Sequence, residues 1–146
     1  MLKILLFFVL PLGHIVREMN DKVRYWIEIS DYDLDTAEAM LAGKRYLYVG
    51  FMCHQSIEKI FKAYFTNNKS ETVPYSHSLS YLAKKGDFYE TFSEDQKDFI
   101  DQIEPLNIEA RYPSHKERLL KSLTEEKCVE ILKTTKELQK WIKEML

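Results

Sequence analysis

Apolar residues return every three or four positions along most of this chain, and that spacing is the helical period rather than the two-residue alternation of a strand. Val23, Trp26, Ile27, Ser30, Leu34, Ala37 and Leu41 mark one such stripe, and Val49, Met52, Cys53, Ile57, Ile60, Phe61, Tyr64 and Phe65 a second. No proline interrupts either run. With only four Gly and four Pro in 146 residues, the chain lacks the turn residues that a many-stranded fold needs. The expected fold class is therefore all-α: an antiparallel four-helix bundle with an additional short helix.

The boundaries follow from the capping residues. Asn20 or Asp21 is expected to cap a first helix that ends at Ala42, with Gly43 supplying positive φ at its close. A second helix is expected over about 44–66, and so short a link makes the pair an antiparallel hairpin. The polar stretch 67–76 reads as a loop, Ser76 as the cap of a short helix carrying Leu79, Tyr81 and Leu82, and Gly86 as its breaker. Ser93 opens another helix, with acids in its first turn where the helix dipole favours them. Pro105 and Pro113 interrupt the pattern, so 109–116 reads as a loop. A last helix is expected to begin near Ser122 or Thr124 and to bury Val129, Leu132, Leu138 and Ile142.

Residues 1–18 form a hydrophobic extension of a different character, with an apolar run from Ile4 to Leu12. The run is shorter than the roughly 20 residues of a membrane span, and no small-x-small cleavage site follows it. Three readings stand: an upstream extension ahead of a natural start at Met19, an uncleaved hydrophobic appendage, or a targeting signal. The domain proper is expected to occupy 19–146.

A net charge of −2 argues against indiscriminate nucleic-acid binding, so any contact with RNA must come from a local basic patch. The two cysteines, Cys53 and Cys128, belong to no CxxC or Cys/His cluster. No metal, cofactor or oxidising compartment is expected on that basis, and the chain is placed in the cytoplasm. The sequence contains no P-loop, dinucleotide-binding turn, nucleophile elbow or HExxH.

Two polar groups stand apart from the solvated acidic faces. His54, Gln55, Glu58 and Lys62 lie on the second helix, where four-residue spacing puts His54, Glu58 and Lys62 on one face. Arg111, Tyr112 and His115 follow the middle helices and combine a fixed cation with a titratable imidazole, a pairing suited to phosphate binding and proton transfer. His77 reads as a structural residue at a helix start.

These segments, in this order, resemble the HEPN family of nucleotide-binding domain proteins. The likeness rests on Asp33-Leu34 ahead of Ala37, the Gln55-Ser56-Ile57-Glu58-Lys59 and Lys62-Ala63 stretch, His77-x-Leu79, and Ala110-Arg111-Tyr112-Pro113 before the last helix. It spans about Asn20 to the C-terminus. The resemblance implies a helical bundle that forms a homodimer with a cleft between protomers. Many members are metal-independent ribonucleases in which an Arg and a His, with four to six residues between them, build a composite site, and many act as toxins beside a nucleotidyltransferase antitoxin. Here three residues separate Arg111 from His115, Tyr112 replaces the polar residue common in active members, and Pro113 stiffens the spacer. The expectation is a dimeric nucleotide-binding or toxin-like partner of a nucleotidyltransferase antitoxin, with His54, Gln55, Glu58, Lys62, Arg111 and Tyr112 as the nucleotide- or phosphate-binding set. The alternatives are an endoribonuclease using Arg111 and His115 as catalytic residues, with RNA as substrate, and a non-catalytic assembly bundle.

Overall fold

In the computed structural model, the backbone is described for residues 2–108 and 111–146, and side chains are described from Asp21 onward apart from Glu109 and Ala110. Six α-helices account for most of the described residues: α1 (Leu2–Ala42), α2 (Tyr46–Asn68), α3 (Leu79–Lys85), α4 (Glu94–Ile103), α5 (Pro113–Ser122) and α6 (Glu125–Lys143). No strand occurs among them. The frame expected from the apolar stripes corresponds to α1, α2, α4 and α6, with α3 as the short helix and α5 as an addition.

α1 begins at Leu2 and passes through Asn20 and Asp21 without a break, so neither residue is its cap. The side chains of the 1–18 extension, His14 included, lie outside the described residues. α1 and α2 pack together as an antiparallel hairpin, and α6 lies on both. In the connecting turn the left-handed residue is Lys44 (φ 58), not Gly43. Asp87 (φ 60) likewise takes that role after Gly86. What Gly86 supplies is room, because a Cβ there would come within 2.5 Å of the Phe88 ring.

The other helix starts show their causes directly. Ser93 and Gln96 form a reciprocal capping box on α4, and the Thr124 hydroxyl accepts the Lys127 N–H at the start of α6. Ser78, rather than Ser76, caps α3 by accepting from the Tyr81 N–H, while the Ser76 hydroxyl accepts from the Ser78 N–H just before it. Pro113 opens a helix instead of prolonging a loop: its fixed φ suits the first helical position, where no N–H is required.

α2 is the central element, and its stripe of Val49, Cys53, Ile57, Ile60, Phe61 and Phe65 is fully buried. Phe61 meets Phe88 edge-on and stacks on Phe92, joining α2 to the segment between α3 and α4. On α6 the buried positions include Cys128, Ile131, Leu132, Leu138 and Ile142, whereas Val129 faces outward. Burial pushes the Cys53 thiol up to about 12 and the Cys128 thiol to about 11, so both behave as inert small hydrophobes.

One buried polar knot fixes the register of the three long helices. The Ser30 hydroxyl donates to the Ser56 carbonyl at 2.7 Å, and the Ser56 hydroxyl donates to the Ser30 carbonyl at 3.0 Å. Gln139 of α6 reaches in to donate to Ser30 Oγ at 3.0 Å and to Asp31 Oδ1 at 2.8 Å. Gln139→Ala should cost about 1–3 kcal/mol in urea unfolding, because it removes two hydrogen bonds of about 0.5–1.5 kcal/mol each, although Ser30 keeps Ser56 and Asp31 keeps Lys143.

Candidate functional site

The residues singled out in the sequence fall into two separate groups. The first lies inside the protein, where α2 meets the segment that leads into α3. Glu58 is only 1% exposed and sits among two lysines and a histidine. Its Oε2 accepts from Lys62 Nζ at 3.1 Å and lies 3.7 Å from Lys59 Nζ, while its Oε1 is 2.9 Å from His77 Nδ1. Lys59 also donates to Gln55 at 2.8 Å and lies 3.8 Å from Asp33 of α1. Lys62 rests over the Trp26 ring, 5.5 Å from its centroid.

This arrangement decides the protonation of the acids. Burial pushes the Glu58 carboxyl upward, but Lys62, the His77 hydrogen bond and Lys59 together outweigh it and hold Glu58 below its ordinary value. Asp33 moves the other way: burial raises it, and Lys59 offsets that only in part.

A second acid, half-buried, pins the same segment. Glu104, just past α4, accepts the Ser78 hydroxyl at 2.8 Å and the Leu79 N–H at 3.1 and 3.0 Å. Burial raises its carboxyl, and His54, the Leu79 N–H and the Ser78 hydroxyl bring it below the ordinary value. His54 is fully buried, with Nε2 3.7 Å from Glu104 Oε2, too long for a hydrogen bond. Neither ring nitrogen has a hydrogen-bond partner among the described residues. His54 therefore offers no face to a ligand, and Glu58 and Lys62 are occupied with each other.

These acids make the fold sensitive to low pH. Glu58 and Glu104 both sit below the ordinary 4.5 in the folded chain, so folding favours their ionised forms. Their contribution is complete above about pH 4.5 and disappears as pH falls through the lowered folded values. Asp33 opposes this, because its folded carboxyl lies above 3.8 and its ionisation disfavours folding. Unfolding free energy should therefore decline below pH 4.5, with a shallower slope in Glu58→Gln, as urea titrations at stepped pH would measure.

The second group is at the surface. Arg111 is exposed, and Tyr112, 84% exposed, stands at the N-terminal boundary of α5. α5 has no side-chain cap and no acid in its first turn, and none of its residues is buried. His115 lies within that first turn, and its Nε2 atom alone is covered, without a partner among the described residues. No hydrogen bond or ion pair among the described residues joins Arg111 to His115, His54 or Glu58. Glu109 and Ala110, which precede Arg111, lie outside the described residues.

Helical spacing does not point to Glu104, gives His77 only a structural role, and leaves Lys59 as one letter of a motif. The partners of Glu58 come from different elements, and spacing along one helix reports only the one at i+4. His77 carries a signal nonetheless, as an isolated imidazole at the end of a polar loop.

These features define an all-α domain with a lysine-clamped buried acid on its central helix and an exposed Arg-Tyr pair ahead of a late helix. The HEPN domain model matches residues 23–145, and the chain belongs to the HEPN family. A search of curated proteins finds no match. Among solved structures, the chain is similar to TT1696 from Thermus thermophilus, with a TM-score of 0.72 and 20% identity over 86% of this chain and 98% of that one. At that identity the likeness is one of fold. No helix among the described residues is long and apolar enough to cross a membrane.

Proposed function

We propose that this HEPN protein is a dimeric, nucleotide-binding partner of a nucleotidyltransferase, toxin-like in role, with residues 19–146 as its working unit. The observation that carries the reading is the exposed Arg111-Tyr112 pair at an acid-free helix start. A planar guanidinium matches phosphate in a bidentate manner, the tyrosine ring offers a stacking face for a base, and the helix start adds positive potential. Lys116 and Arg118 follow on the same helix, with Glu117 between them.

Within this reading, Arg111 and Tyr112 touch the nucleotide. His54, Gln55, Glu58 and Lys62 serve the fold from behind, since their polar atoms are buried or engaged with neighbours. The endoribonuclease alternative would use the same Arg111 with His115. No hydrogen bond or ion pair among the described residues joins Arg111 to His115, so the geometry gives that alternative less support.

The test is calorimetric titration with ATP. Arg111→Ala should weaken binding by roughly 10- to 100-fold, the loss of a charge-assisted hydrogen bond of about 1.5–3 kcal/mol. Equal affinity in wild type and variant would overturn the assignment. Cleavage of RNA in EDTA, lost in His115→Ala, would install the nuclease alternative instead.

A further inference from the structure

We infer that residues 69–78 form a strap that closes the Trp26-lined cavity and lifts away from it without unfolding the helical bundle.

The strap joins the end of α2 to the start of α3. It has no helix or strand of its own, and none of its residues is buried. No backbone–backbone hydrogen bond among the described residues involves residues 70–77. Of its two large apolar side chains, Val73 packs against the core, whereas Tyr75 is 98% exposed. A segment with so few buried contacts and backbone bonds lies at the low-stability end of a fold, where local opening costs least.

Side-chain clips at its two ends hold the strap, and each clip closes on a carboxylate elsewhere in the domain. At the α2 end, Lys69 Nζ donates to Asp87, and this bond holds the Asp87 carboxyl below its ordinary value. At the α3 end, His77 Nδ1 lies 2.9 Å from Glu58 Oε1. The Ser78 hydroxyl donates to Glu104 at 2.8 Å, and Glu104 also accepts the Leu79 N–H, so this last clip belongs to the start of α3 and stays with it. Glu58 keeps its compensation without His77, because Lys62 Nζ lies 3.1 Å and Lys59 Nζ 3.7 Å from its Oε2. The His77 clip therefore opens without leaving a bare buried charge.

The cavity gives this opening a consequence. Five consecutive strap residues, 69–73, line it together with Tyr25 and Trp26 of α1 and Thr66 of α2. Its volume of about 610 Å³ is within the usual range for small-molecule sites. When the strap lifts, that side of the cavity leaves with it and Trp26 becomes open to solutes. Neither His77 nor Asp87 lines the cavity, so the clips act on it only through the strap. The strap shares no residue with the Arg111-Tyr112 surface, and either assignment can fail without the other.

The test changes the clips and reads the cavity. In a Trp141→Phe background Trp26 is the remaining tryptophan, and acrylamide quenching measures its accessibility. A glutamate-specific protease cutting after Glu71, the strap's single glutamate, measures backbone opening. His77→Ala should speed that cleavage about tenfold, the scale of one lost charge-assisted hydrogen bond. It should also raise the Trp26 quenching constant, with helical circular dichroism unchanged. Asp87→Asn, a residue that tolerates the left-handed backbone at position 87, should speed cleavage about two- to threefold, because its clip is exposed. Both effects should appear at urea concentrations well below the unfolding transition. A purely local role for His77 would leave Trp26 quenching where it is. Unchanged quenching in His77→Ala, a strap cut as fast in the parent as in that variant, or cleavage that follows global unfolding in urea would overturn the proposal.

Discussion

Glu58→Ala is expected to lower the unfolding free energy by about 3–5 kcal/mol, the usual cost of removing one partner from a buried ionic cluster. The cost arises on the side that remains. Lys62 is 9% exposed at its side chain and Lys59 18%, and without Glu58 the first loses its only carboxylate within ion-pair distance among the described residues. His77 loses its orienting acceptor in the same step. Urea unfolding monitored by circular dichroism measures the change. Glu58→Gln, which keeps an acceptor oxygen and loses only the charge, should fall between wild type and the alanine variant. A loss below about 1 kcal/mol for Glu58→Ala would mean that the cluster behaves as an exposed ion pair, far better solvated than its burial implies.

Phe61→Ala should cost about 3–5 kcal/mol as well, by a different mechanism. Phe61 is fully buried, with ring centroids 5.3 Å from Phe88 and 5.5 Å from Phe92. Truncation removes the transfer energy of the ring and leaves a cavity that the packed segments on both sides cannot close. The lost aromatic pairing adds to this, at about 0.5–1.5 kcal/mol per pair. The midpoint of thermal unfolding should drop by on the order of 10 °C for a domain of this size. An unchanged slope against urea would show that the loss belongs to the native core rather than to the unfolded ensemble.

Much of this fold is legible in local physics. Helical period, sparse Gly and Pro, and the Ser93 and Thr124 caps are properties of neighbouring residues, and they place α2, α4 and α6 within a few positions. Pro113 misleads because proline breaks a helix from within, whereas here it starts one. The positive φ expected at Gly43 falls one residue later, on Lys44, since backbone closure rather than residue preference sets where the turn reverses.

The site is less legible. Spacing singles out His54, Gln55, Glu58 and Lys62 as one polar group and Arg111, Tyr112 and His115 as another, but it is silent on which of them face solvent. In the folded chain His54 turns into the core, Glu58 gathers Lys59, Lys62 and His77, and Glu104 joins the start of α3 from a distant part of the chain. The helices and most of their buried faces thus follow from the chain alone, because period, caps and breakers act over a few residues. The pairing of acid with base does not, because those contacts join residues far apart in sequence and depend on how the helices pack.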